Sequence, residues 1–211
     1  MSCRMIDMET YPRRAHFDYF RTMTNPYVGV TVNVDVSAAV EFCKRGSCSF
    51  YLMMIHLSAL AADAVPEFRQ RIRGDQIVEY DACPTSHTEL LNDGTYCYCA
   101  LRHTLPLREY FAYAEQTRQR CRENPSIEEE DDVESEYFVS TLPWLHYSAF
   151  VQPTTANGDS NPRITWGKYE ETPDGKKLLP VTVLVHHALV DGYQMSQFYE
   201  NLEKEISKLA E

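Results

Sequence analysis

VTVLVHHALVDGYQMSQF, residues 181–198, joins two patterns end to end. Its opening residues are apolar or β-branched without a polar alternation, as in a strand buried on both faces. From Asp191-Gly192 onward the chain reads as a final helix, DGYQMSQFYENLEKEISKLAE, that runs to the last residue. His186 and His187 stand at the strand's exit and point opposite ways, so one can face a cleft while the other faces packing or a partner. Asp191 lies beside a helix N-terminus, where a carboxylate caps free N–H groups and meets the positive end of the helix dipole.

Working outward, VGVTVNVDV (28–36) places Val28, Val30, Val32, Val34 and Val36 on one face of a second strand. Before it, YPRRAHFDYFRTM (11–23) reads as a helix with Pro12 in its first turn and Phe17 and Phe20 on one side. Asn25-Pro26 breaks it. Ser37 is the expected cap of a short helix that stops at Gly46. SFYLMMIHLSALAADAV (49–65) is apolar around most of its circumference and reads as a central helix. A short strand is expected at DQIVEYDA, a hairpin around Asn92-Asp93-Gly94, and a long polar helix over 107–124. The acidic run at 128–132 reads as a solvated loop. Strands are expected at YFVST, HYSAFVQ (146–152), PRITWGKYEE and LLPVTVLVHH, with a hairpin at Asp174-Gly175. Hairpins outnumber βαβ units, so the class is α+β in a single domain over 1–211.

At 211 residues and a formal net charge of −11, the chain lacks the basic surface that general nucleic-acid binding needs. It has no run of eighteen apolar residues and its first residues carry no apolar signal core, so neither a membrane span nor secretion is expected. Seven cysteines at irregular spacing fit reduced thiols in the cytoplasm. No HExxH or paired CxxC occurs, and strand geometry separates His186 from His187, so no metal is expected. A serine hydrolase would need a GxSxG elbow, which is absent. A neutral imidazole is the natural group for taking a proton from a hydroxyl near neutral pH, given a rigid support.

HHALVDGYQMSQF resembles the active-site segment of the trimeric chloramphenicol acetyltransferases, the HHxxxDG type. YPRRAHFDYF, PEFRQRI, FVSTLPW and ITWGKY resemble further segments of that family, in family order and at near-family spacing. The resemblance implies a mixed, largely antiparallel sheet with helices packed on one side. It implies acetyl-CoA as the acetyl donor and a hydroxyl of a small molecule as acceptor, chloramphenicol among the candidates. His187 matches the general base, its ring held by its own backbone carbonyl. Asp191 matches a structural aspartate paired with Arg13, Ser140 a donor to the oxyanion, and Thr165 a threonine acting through a bound water. Tyr51, Trp144 and Tyr169 match positions lining the coenzyme A tunnel. The family assembles as homotrimers, with sites between subunits and His187 supplied across the interface.

The acceptor pocket departs from the drug-acetylating members. Phe20 and Tyr96 fall where they carry aromatic residues. Val28, however, stands where an aromatic is expected, and Tyr27 is displaced from it by one, which in a strand turns it to the other face. Two alternatives stay open: a non-catalytic trimeric ligand-binding homologue, and a dihydrolipoamide-acyltransferase-like core.

Overall fold

Strand β10 (Lys177–His186) is the spine of the molecule. In the computed structural model, which describes residues 2–128, 132–155 and 159–210, β10 is paired on both edges. On one side it runs antiparallel to β2 (Tyr27–Asp35), from Leu178 opposite Asp35 to His186 opposite Tyr27. On the other it pairs with β8 (Arg163–Trp166) and, near its start, with β9 (Glu170–Glu171). A strand with neighbours on both edges and cover on both faces has no reason to alternate polar residues. The sheet continues through β7 (Tyr137–Thr141) and β5 (Thr85–Leu90) to β6 (Tyr96–Leu101). β8, β7 and β5 pair in parallel and the remaining pairs are antiparallel, so the sheet is mixed as expected. A second, three-stranded sheet joins β1 (Cys3–Met5), β4 (Gln76–Tyr80) and β3 (Gln70–Arg73).

The helices follow from equally local causes. α3 (Phe50–Asp63) is capped by Ser49, whose hydroxyl accepts the Leu52 N–H, and is buried along most of its length. α5 (Gly192–Ser207) packs on α3 and ties the sheet through Tyr199, whose hydroxyl lies at hydrogen-bond distance from the carbonyls of Val30 and Val181. α4 (Leu107–Glu123) covers β6. The face of β10 bearing Val181, Val183 and Val185 shares one apolar core with α3 and α5. Among the described residues no helix is long and apolar enough to cross a membrane, and all seven cysteines are free thiols.

Four expectations are corrected. α1 spans only Arg14–Phe20, because Tyr11 and Pro12 belong to a turn closed by the Arg14 N–H on the Tyr11 carbonyl. Ser37 does not cap α2 (Ser37–Gly46). Ser37 is its first residue and Val36 the cap position, without a side-chain cap; the Asp35 carboxylate ahead of the helix accepts both the N–H and the hydroxyl of Ser37, and Ser47 takes the left-handed exit (φ 51°). Residues 146–152 form no strand. Both edges of β8 are already occupied, so this segment crosses the sheet's face and bonds it through side chains. The β2 valines are unevenly buried: Val34 is fully buried while Val30 is 39 % exposed, because no described strand pairs the outer edge of β2. The acidic run at 128–132 lies mostly outside the described residues.

Candidate active site

His187 leaves β10 with its N–H bonded to the Pro26 carbonyl at 2.7 Å. Its Nδ1 lies 3.1 Å from the carbonyl oxygen of Val190, in the turn before α5. The partner is thus a carbonyl three residues on rather than its own. A carbonyl only accepts, so in the neutral imidazole the proton sits on Nδ1 and the lone pair on Nε2. Phe20, at the end of α1, stacks on the ring with centroids 3.8 Å apart and planes 21° from parallel. Two contacts therefore fix both the tautomer and the plane of a half-buried imidazole.

Asp191 supports the same turn. Its carboxylate accepts the Tyr193 N–H at 2.9 Å, while the Gln194 side chain accepts the Asp191 N–H at 3.1 Å, a capping box. Its other oxygen takes Arg13 Nη1 at 2.6 Å. Burial pushes this carboxyl up, but Arg13 and the Tyr193 N–H outweigh it and hold it below the usual carboxylate range. His186 differs from its neighbour. It is buried against Tyr27 and its Nδ1 accepts the Ala188 N–H at 3.2 Å. Burial, with His187 adjacent, lowers its pKa to about 4, so it stays neutral.

Ser140 stands elsewhere. It pairs with Thr165, which pairs with Thr182, which pairs with Thr31, a row of hydroxyls across β7, β8, β10 and β2. Residues in register share a face, so the row lies on the side opposite the helices. Residues 142–155 cross that face. Tyr147 donates its hydroxyl to the Thr165 carbonyl at 3.0 Å, and Gln152 Nε2 bonds the Thr165 hydroxyl. Thr165 is fully buried beneath them, whereas Ser140 is half-buried and lines a cleft of about 370 Å³ with Phe138, Tyr98, Phe150, Gln152 and Arg163. A seryl hydroxyl at a cleft and a lone-pair imidazole braced at a strand end are the two groups that acyl transfer needs.

A family model described as chloramphenicol acetyltransferase matches residues 1–203. The chain belongs to the chloramphenicol acetyltransferase family. It is accordingly an acyltransferase. Chloramphenicol acetyltransferase 2 of Escherichia coli is 28% identical over 206 residues, covering 96% of both chains. A solved chloramphenicol acetyltransferase superposes with a TM-score of 0.85 at 22% identity, covering 97% of this chain and 100% of that one. The truncated catalytic core of the 2-oxoacid dehydrogenase multienzyme complex from Thermoplasma acidophilum gives 0.69 at 16% identity, over 99% and 100% of the two chains. At these identities the two structures speak for the fold alone.

Within this chloramphenicol acetyltransferase family fold, the residues expected from the sequence fall into separate groups. His187, Phe20, Asp191 and Arg13 meet at one corner. Ser140 and Thr165 meet on the sheet, and His187 is not among the residues lining the Ser140 cleft. Tyr27 turns to the face that carries Ser140 and packs on His186, not on His187. Tyr96, at the far edge of the sheet, is 50 % exposed and packs on Tyr98. Tyr51 is held inward by its bond to the Thr88 carbonyl and by Arg118 over its ring. Tyr169 packs on Phe50, and Trp144 is 65 % exposed. Three groups on this face escaped the sequence reading: Tyr147, bonded to Thr165 and Thr182, and, at the cleft, Gln152 and the Asp159–Arg163 pair. The first two lie in the segment taken for a strand. Arg163 heads a strand of otherwise β-branched and aromatic residues, and that oddity is the one signal it leaves.

Proposed function

We propose that the protein transfers the acetyl group of acetyl-CoA to a hydroxyl of a small molecule, with chloramphenicol as a candidate acceptor and His187 as general base. The observation that carries this reading is the braced imidazole: Nδ1 engaged by Val190, one face covered by Phe20, Nε2 left with its lone pair. Nε2 takes the acceptor's proton as its oxygen attacks the thioester carbonyl. Ser140 donates to the resulting oxyanion, a contribution worth about 100- to 1,000-fold in rate for such donors. Collapse expels the coenzyme A thiolate, and His187 returns the proton to it. Arg13 and Asp191 act indirectly, by holding the turn that carries the imidazole.

The active assembly is a homotrimer in which His187 of one copy completes the Ser140 cleft of the next. The separation of the two groups within one chain and the open edge of β2 support this arrangement. Trp144 and Tyr169, with Tyr51 behind them, form the wall for coenzyme A. Phe20 and Tyr27 bound the acceptor, with Tyr96 at its far rim. Closing such a site between copies shields the thioester from water.

Thiol release from acetyl-CoA with a panel of alcohols including chloramphenicol tests the reading. Wild type releases thiol in proportion to acetylated product, and His187→Ala lowers kcat by about 100- to 10,000-fold. Equal turnover in the variant removes His187 from the chemistry. Coenzyme A binding with no turnover across the panel favours the non-catalytic homologue instead.

A further inference from the structure

The PEFR stretch folds as one turn of 3-10 helix, Pro66–Arg69, and meets α5 at two places. Phe68 stacks on Phe198 with centroids 5.4 Å apart and planes 7° from parallel, both side chains fully buried. One residue earlier, the half-buried Glu67 carboxylate accepts the side-chain N–H of Gln194 at 3.3 Å. Gln194 is itself buried, and its side-chain oxygen accepts the Asp191 N–H at 3.1 Å. A carboxylate only accepts and a backbone N–H only donates, so both partners demand the same orientation of the Gln194 amide. Without Glu67 the amide is free to turn its NH2 end toward Asp191, where donor would meet donor.

The Asp191 N–H belongs to the peptide unit whose carbonyl is that of Val190. That carbonyl is the one 3.1 Å from His187 Nδ1. A trans peptide is planar and directs its N–H and its C=O oppositely, so a bond that fixes one end fixes the other. The other N–H groups of the turn are held without Gln194: His187 on the Pro26 carbonyl, Leu189 and Val190 on the His186 carbonyl, and Ala188 on His186 Nδ1. The Val190–Asp191 peptide is therefore the unit that orients the imidazole, and the acceptor for its N–H is a side chain that Glu67 sets. Hydrogen bonds in series also polarise one another. A carboxylate at the far end makes the Val190 carbonyl a better acceptor for Nδ1–H and raises electron density at Nε2.

We propose that Glu67 is a positioning residue for His187: through Gln194 and the Val190–Asp191 peptide it holds the imidazole in the tautomer that leaves Nε2 free. This rests on the acetyl-transfer reading with His187 as base. Glu67 touches no reacting atom and moves no proton. It does through two amides what a carboxylate bonded directly to a catalytic histidine does in one step, which is to select the tautomer and its orientation.

The test compares wild type with Glu67→Ala and with the double variant Glu67→Ala, Gln194→Glu, each checked for folding by its melting temperature. In the double variant both oxygens at position 194 accept, so the Asp191 N–H keeps its bond and no second group is needed to sort the ends. Nitrogen NMR resonances of the His187 ring, identified by their absence in His187→Ala, read the tautomer without turnover. Thiol release from acetyl-CoA gives kcat and KM. Wild type shows a single tautomer with the proton on Nδ1. Glu67→Ala draws the two ring resonances toward each other and lowers kcat by about three- to thirtyfold with KM unchanged. The double variant restores both the separation of the resonances and kcat, which a general loss of stability would not allow. Unchanged resonances and kcat in Glu67→Ala overturn the proposal, as does a folded double variant that restores neither. If Glu67→Ala does not fold, the double variant decides: a single Nδ1–H tautomer upholds the relay, and a mixture refutes it. A tautomer shift in Glu67→Ala, from a wild type that releases no thiol, refutes acetyl transfer and upholds the positioning role.

Discussion

At the scale of single residues, burial decides which histidines can do chemistry. His187 is half-buried with a free Nε2, whereas His186 and His56 are buried and their pKa values fall to about 4. His56 sits in α3 with its ring 4.5 Å from that of Tyr110 and its Nδ1 without a partner. Burial is the main cause of its lowered pKa, and His103 nearby adds to it. Between pH 6.5 and 4 the unfolded chain binds a proton that folded His56 refuses. Stability from this site is therefore complete above pH 6.5 and declines as the medium is acidified. The loss is roughly 2 kcal/mol by pH 5. Urea unfolding at pH 7.5 and pH 5 should show it, and His56→Phe, which keeps the ring packing and removes the titration, should shrink the difference by about that amount. An identical pH response in the variant would place the acid sensitivity elsewhere, with His186 the next candidate.

At the scale of elements, the junction of β10 and α5 concentrates the supporting contacts. Asp191 both caps α5 and pairs with Arg13, and two substitutions separate the roles. Asp191→Asn keeps an acceptor for the Tyr193 N–H and gives up the ion pair, while Asp191→Ala gives up both. The alanine variant should unfold at lower denaturant, by about 1 kcal/mol relative to asparagine. Both should lose acetyl transfer if the ion pair holds the 187–191 turn, whereas an asparagine variant with wild-type turnover would reduce Asp191 to a cap. This junction was legible from residues 181–198 because each of its signals is local: a β-branched run, a capping residue, a helix. The β2 strand, α3, α4 and the hairpins at Gly94 and Gly175 were legible for the same reason, both glycines taking positive φ where the turn requires it. Residues 146–152 misled because local strand character does not report whether a neighbouring edge is free. The Asp159–Arg163 clamp was hidden for a related reason. Its partners, Phe138 and Tyr27, are distant in sequence and meet it only once the strands are in register. The roles of Ser140 and Thr165 came from the family likeness, since neither stands out by composition.

At the scale of the whole molecule, the two groups proposed for the chemistry stand apart within one chain. His187 is braced at the exit of β10 and Ser140 opens into a cleft that His187 does not line. Val30 on the unpaired edge of β2 and the side chains of Trp144 and Tyr193 are exposed, which suits a surface that another copy covers. If the sites form between copies, His187 and Ser140 of a single working site come from different chains. Two inactive variants, His187→Ala and Ser140→Ala, then rescue each other when co-assembled. Each site draws its histidine and its serine independently, so equal mixing restores about a quarter of the sites in a closed ring. Sites contained within one chain would regain nothing, because every chain lacks one of the two groups. Co-expression with distinct tags, tandem purification of mixed oligomers and thiol release read the outcome directly. Tandem purification removes the unmixed rings, and every mixed ring of three holds one restored site, so activity at about a third of wild type, with sedimentation at three times the chain mass, establishes shared sites. Mixed oligomers as inactive as either parent would confine the chemistry to single chains and require His187 and Ser140 to be brought together by a movement of residues 142–155.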